Sequence, residues 1–261
     1  MKRWNCKELH ENSRCPEVLR DGMTSFLSFF AIHSKIFHAA HSKIIDMLNQ
    51  LNENRMVDIC AGGGLCSLRM LQKLQNSMQR DDLTLTLTDL YPNKLWPEIQ
   101  ALGGSSMKIV NEPVDARESF ARFQGLHLMF AALHHFSPSE IVELLESAVE
   151  NNQPLACFDY FQRDMKMEIL LVFCAPILLL CTSFLVYPFS WKRLFFTYII
   201  PVLPVMLMID TFISRQRSYL VSELEEIIVQ VDAQGKMMIE TGVLKFWYGI
   251  GKLHYISALP K

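Results

Sequence analysis

Apolar residues recur at helical spacing from Arg20 to Leu51: Met23, Phe26, Leu27, Phe30 and Ile32, then Ile36, Phe37, Ile44, Ile45 and Leu48. A polar break near His33-Ser34 predicts two helices, suited to cap a ligand site or pack beside a sheet. The period then shortens. Met56–Cys60 reads as a strand and Ser67–Met78 as a helix. Leu83–Asp89 alternates apolar residues with Thr and ends on an acid, the pattern of a second strand, and Tyr91-Pro92-Asn93 breaks it. Met107–Val110 reads as a third strand, followed by a loop carrying Asp115. Leu126–Ala132 reads as a fourth, and Pro154–Tyr160 as a fifth. Between them Ser137-Pro138 opens a helix that runs to Glu150. Such alternation predicts an α/β fold with a parallel sheet covered on both faces. Ser222–Val231 reads as a last helix. Lys236–Leu259 reads as two closing strands, with Gly249 and Gly251 as breaks.

One segment does not follow this alternation. Ile169 through Trp191 carries no charge, Lys192-Arg193 interrupts, and Leu194 through Ile209 is again uncharged. About 20 apolar residues cross a membrane. The first run meets that length; the second does so only if the span continues past Asp210 to Ile213. The short connection predicts a helical hairpin with both ends on one side, its tip at Lys192-Arg193 and its flanks at Arg163, Lys166, Arg215 and Arg217. Positive-inside bias puts those flanks, and the core with them, on the cytoplasmic side of a membrane. Pro176, Pro188, Pro201 and Pro204 allow a bent hairpin that enters one leaflet only. The alternative use of two greasy helices is a homodimer joined through them. The organisation is therefore an N-terminal helical cap over 1–51, a ligand-binding core over 52–164, the apolar hairpin over 165–217, and the last helix and closing strands over 218–261.

Composition changes this picture little. The 261 residues carry 25 Lys+Arg and 27 Asp+Glu, a formal net charge of −2, with no basic stretch suited to nucleic acid. The seven cysteines show no Cys-x-x-Cys spacing, so neither a zinc site nor a redox pair is expected, and no metal is assigned. Cys60 and Cys66 read as packing groups. Residues 1–20 form a polar lead-in without the apolar region of a secretory signal.

The chemistry concentrates in Val57-Asp58-Ile59-Cys60-Ala61-Gly62-Gly63-Gly64, a strand end, a carboxylate and a glycine turn before a helix. Glycines admit close backbone approach by a ligand, and the helix start offers N–H groups. Gly62, Gly64 and Ser67 fit a dinucleotide turn loosely, with Asp89 as the ribose acid. A carboxylate just before the turn, however, repels a pyrophosphate and suits a ligand with a positive end, such as S-adenosylmethionine. On these residues the chain resembles the class I S-adenosylmethionine-dependent methyltransferases, over about residues 15–160 and the last 40 or so. Cys60 stands where their first motif has its first glycine.

That resemblance implies a Rossmann-like, doubly wound, mostly parallel sheet with an antiparallel last strand. It implies that Asp58 anchors the methionine amino group and that Cys60, Ala61, Gly62 and Gly64 line the methionine end. Asp89 would bind the ribose hydroxyls, Leu90 the adenine face, and Asp115 with Ala116 the adenine amino region. Ala131, in Leu128–Phe136, would lie beside the transferable methyl, and His134 is the candidate general base, weighed against a pocket-wall histidine. Arg20-Asp21, Thr88–Asn93 and Leu133–Phe136 resemble a bacterial branch of the superfamily. Methyl transfer is the function so implied, and the apolar hairpin places it at a membrane surface with a lipid or other small amphiphilic acceptor, Tyr160 and Phe161 standing at the entrance. A membrane-tethered, non-catalytic binder of S-adenosylmethionine is the alternative. A nucleotide-dependent oxidoreductase is disfavoured by Asp58.

Overall fold

The computed structural model describes residues 3–160, 163, 165–233, 235–246 and 251–261. Phe161 and Gly249, both singled out above, lie outside the described residues. Two N-terminal helices, α1 (Glu17–Ser34) and α2 (His38–Leu51), lead into β1 (Arg55–Asp58), α3 (Leu65–Met78) and β2 (Thr84–Leu87). There follow α4 (Trp96–Gly103), β3 (Met107–Ile109), the short α5 (Ser119–Arg122), β4 (Leu126–Phe130), α6 (Pro138–Glu150) and β5 (Leu155–Asp159). The helices α7 (Met165–Thr182), α8 (Trp191–Leu194), α9 (Val202–Arg217) and α10 (Val221–Ile228) precede β6 (Met237–Phe246) and β7 (Gly251–Pro260).

Among the described residues seven strands form one sheet in the order β3-β2-β1-β4-β5-β7-β6. The first five strands are mutually parallel, and β7 runs antiparallel to both β5 and β6. Pleating divides the side chains between two cores. Met56, Leu85, Leu87, Leu128 and Phe158 point into the layer with α2, α3 and α4. Val57, Met129, Leu155 and Cys157 point into the layer with α6 and α10. The near-continuous apolar runs of the parallel strands follow from this burial on both faces. Helix α6 begins where the sequence places it because Ser137 and Glu140 close a reciprocal capping box, with Pro138 in the first turn.

The apolar segment takes a different form from two membrane-crossing helices. Among the described residues no single helix is long and apolar enough to cross a membrane. A tight turn over Ser183–Leu185 follows α7, and the stretch Trp191–Ile199 meets α9 at an 84° bend. Pro201, with no N–H to continue the helix, stands at that bend. Arg193 is buried rather than displayed at a tip: its guanidinium donates to the carbonyls of Ser183, Val186 and Pro188 and so ties the turn together. Three of the basic flank residues, Arg163, Arg215 and Arg217, are also internal. Arg163 pairs with Glu223 and Arg217 with Glu11, while Arg215 is buried. Most of the charge bias that would orient a hairpin across a membrane therefore lies in arginines engaged inside the protein.

A third core joins this segment to the rest. Met23, Phe26 and Phe29 of α1 pack against Leu179, Val186, Leu203, Met206 and Leu207. Helix α1 is thus clasped between the apolar helices and the sheet layer. Leu203 is fully buried there, so Leu203→Ala should lower stability by about 2–5 kcal/mol through lost contacts and a cavity. Urea denaturation measures it; an unchanged midpoint would mean that α9 does not pack on α1 in solution.

Candidate active site

The order of the sheet reverses between β1 and β4, which opens a crevice at the carboxyl ends of those strands. Asp58 ends β1 there, buried. Its carboxylate accepts from the Cys60 N–H at 3.3 Å and from the Ser67 hydroxyl in the first turn of α3. The glycine turn is held from three sides. The Ala61 N–H donates to the Thr88 carbonyl, the Trp96 indole donates to the Gly62 carbonyl at 2.9 Å, and the Gly62 N–H donates to Asp89 at 2.8 Å. Asp89 also accepts from the Tyr91 N–H at 2.8 Å.

Gly63 is needed for a close approach: a Cβ there would stand 2.5 Å from the Thr24 carbonyl oxygen and 2.7 Å from the Ser28 hydroxyl of α1. Gly64 does not line the crevice as expected. It caps α3 at φ 74°, and a Cβ would stand 2.6 Å from Leu87 and 3.1 Å from Trp96, so it serves packing under the turn.

A cavity of about 1050 Å³ occupies the crevice. Asp58, Cys60, Ala61, Gly62, Asp89, Leu90, Asp115, Ala116 and Ala131 all line it. Ala131 adopts a positive φ of 51° and so turns the chain away from β4 at the cavity wall. Asp115 is drawn towards Arg117 at 2.7 Å, and Arg117 in turn reaches Glu143. The guanidinium lowers the Asp115 carboxyl. Asp58 behaves oppositely: burial pushes it up to about 7, against its bonds from Ser67 and Cys60 and with the help of the nearby Asp89 charge. Burial raises Asp89 too. Two carboxylates with upward-shifted affinities for protons make a site that gains from a cation.

The fold and this geometry can be set beside known proteins. No family model matches the chain, and no curated protein matches it. Among solved structures, an O-methyltransferase assignment from Nostoc punctiforme aligns with a TM-score of 0.51 at 14% identity, over 98% of this chain. This chain spans 64% of that one. The methyltransferase domain of the bacterial CtHen1-C aligns with a TM-score of 0.51 at 8% identity, over 87% of this chain and 100% of that domain. The chain has the class I methyltransferase fold. The parallel strands, the antiparallel β7 and the crevice position all belong to that fold.

In this methyltransferase fold the loop after β4 carries His134 and His135, and here it meets the N-terminal lead-in. The His134 imidazole is buried, with Nδ1 2.6 Å from Asp159 and Nε2 3.3 Å from Glu8. Burial alone would lower its pKa, but Asp159 and Glu8 outweigh that and push it up to about 9. The two carboxylates thus favour its protonated form, which weighs against His134 as the general base. His135 goes the other way: burial and the neighbouring His134 lower it.

Sequence reasoning passed over residues 3–12 as polar lead-in. In the structure Glu8, His10 and Glu11 line the cavity. Arg20 holds this segment down, donating to the His10 carbonyl at 2.9 Å and the Asn12 carbonyl at 2.7 Å while lying over the Tyr91 ring. The one available signal was a Glu-x-His-Glu grouping in an otherwise unpatterned stretch. The cysteines are free, as expected of packing groups, and burial raises the Cys60 thiol and pushes Cys66 up to about 12.

Asp58 makes a stability prediction. Its folded value of about 7 exceeds the ordinary carboxylate value, so between them the folded state binds more protons than the unfolded one. Its contribution then falls as pH rises through that window. Asp58→Asn should remove this loss, stabilising the ligand-free protein at pH 8 relative to pH 5 on the order of a few kcal/mol. Thermal melts at the two pH values would detect it; a variant with the parent's pH dependence contradicts the assignment.

Proposed function

We propose that this protein is an S-adenosylmethionine-dependent methyltransferase that acts at a membrane surface on an apolar or amphiphilic acceptor. The observation that carries the reading is one continuous cavity. It runs from the Asp58 and Asp89 carboxylates, past Ala131 and Tyr160, to Phe26, Leu27 and Phe30 of α1 and to Leu171, Ala175, Leu178 and Leu207 of the apolar helices. Its volume of about 1050 Å³ is at the top of the roughly 300–1,000 Å³ typical of small-molecule sites, which suits a cofactor and an acceptor together.

The cofactor end is suited to an ammonium and a ribose. Asp58 offers a buried carboxylate, whereas the Gly62 N–H that a phosphate would seek already donates to Asp89. This supports S-adenosylmethionine over a dinucleotide. In the reaction the acceptor's electron pair forms the bond to the methyl carbon, the carbon–sulfur bond breaks, and its electron pair stays on sulfur. The protein's main contribution is alignment of the three atoms.

The membrane surface reading rests on the outer face of the same helices. Phe173, Ile177, Leu185, Trp191, Ile199 and Val205, all from this one apolar segment, are each at least half exposed. Lys192 is exposed beside Trp191. This favours helices that lie in one leaflet with an amphiphile entering from below, and it makes pairing of two copies the competing use.

Three measurements test the proposal. S-adenosylmethionine should bind by calorimetry, more tightly as pH rises through about 7, because Asp58 must lose its proton to meet a cation; Asp58→Asn should bind at least about tenfold more weakly with a flat pH profile. No binding, with NAD binding instead, sinks the cofactor. Labelled S-adenosylmethionine incubated with a membrane extract should put label in the lipid fraction; binding without any transfer indicates a non-catalytic binder. Trp191→Glu with Ile199→Glu should reduce sedimentation with anionic vesicles several-fold. Unchanged sedimentation places the membrane contact elsewhere, and a loss of dimer instead points to pairing.

A further inference from the structure

We infer that Glu8, His134 and His135 form a binding site for a divalent first-row transition metal of the zinc or iron(II) class. One ligand atom from each lies within 4.8 Å of the other two. Two imidazoles and one carboxylate are the donor set that such ions take with positions left open, and calcium or magnesium would prefer oxygens alone. All three side chains line the cavity, so an open position would face its interior.

The supporting shell is already in place. The Asp159 carboxylate takes the His134 Nδ1 at 2.6 Å and also accepts from the His134 backbone N–H at 3.1 Å. This fixes the ring with Nε2 towards Glu8. A carboxylate behind a ligating histidine is the usual device for orienting the ring and strengthening it as a ligand. Glu8 is itself oriented, its Oε1 accepting from the Ser214 hydroxyl at 2.7 Å. His135 is the more open member, with 22% of its side chain exposed, and its Nδ1 is 3.7 Å from Glu8 and closer still to Glu11.

Other charged groups face the cluster. Glu11 lies beside His135, Asp210 takes His10 at 2.9 Å next to Glu8, and Arg217 reaches Glu11 and stands 4.0 Å from Glu8. Glu8, Glu11, Asp159 and Asp210 thus surround the imidazoles with carboxylates from three separate parts of the chain. In the metal-free arrangement these groups satisfy one another as ion pairs. A divalent ion would enter between Glu8 and the two rings, and Arg217 would keep Glu11 as its partner. An ion held there could bind an acceptor oxygen and stabilise it without its proton; that role, unlike the binding itself, rests on the methyl-transfer reading.

The test is metal binding to the full chain after removal of metals by a chelator. Zinc should bind at one equivalent per chain, and cobalt(II) should give the visible absorption of an ion with nitrogen ligands at low coordination number. Glu8→Gln and His135→Ala should each weaken zinc binding by more than tenfold. Asp159→Asn should weaken it about 10–100-fold through the ring it orients. His38→Ala, exposed at the start of α2 and away from the cavity, should leave it unchanged. Melts without metal report whether each variant is folded. His135→Gln keeps the test open if a buried substitution unfolds the chain, since His135 is partly exposed. No zinc uptake by the parent protein, or equal uptake by folded Glu8→Gln and His135 variants, overturns the site and leaves an ion-pair network only.

Discussion

Parallel pairing of β1 with β2 on one side and β4 on the other is the constraint on which the molecule depends. The chain must leave β1 and β4 in opposite directions, and a crevice opens where it does so. Everything with chemical potential collects at that opening: the carboxylate that ends β1, the glycine turn, the loop after β2 and the two histidines after β4. The turn is then fixed from outside. Gly63 has no room for a side chain because α1 rests on it, and Asn93 donates to Thr24 at 2.9 Å to tie the loop after β2 to the same helix.

Helix α1 therefore links two surfaces with different partners. One side supports the cofactor end of the crevice, and the other packs in the third core with the apolar helices. The cavity between them inherits both characters, carboxylates at one end and aliphatic and aromatic walls at the other. This is why the apolar helices and the polar crevice share a single space. The electrostatics follow from burial. Desolvation raises Asp58, and raises Asp89 against the weaker pull of His10 and His135, whereas similar burial leaves Glu8 well below the usual carboxylate range because the imidazoles of His135, His134 and His10 outweigh it.

Much of the architecture was legible because strands and helices have different periods. The alternation in Leu83–Asp89, the Ser137-Pro138 opening of α6 and the split near His33-Ser34 each rest on local geometry, and each element lies within a few residues of its expected place. The apolar segment takes the bent form that its prolines allowed, and composition could not show that it also packs on α1. Lys192-Arg193 looked like a displayed pair, yet only Lys192 is exposed; Arg193 met three carbonyls left open by a broken helix. Gly64 was assigned to the ligand for its motif position, but the packing of Leu87 and Trp96 claims it.

By itself the sequence determined the alternating fold, the acid at the end of β1 and the acid just after the adjacent β2, because each depends on contacts within a few residues. It also determined that the apolar stretch would need a nonaqueous neighbour. Only the tertiary structure decided that residues 3–12 return to the crevice, and that His134 stands between Asp159 and Glu8. Those outcomes join residues more than a hundred positions apart. They depend on desolvation and charge pairing, which no local pattern records.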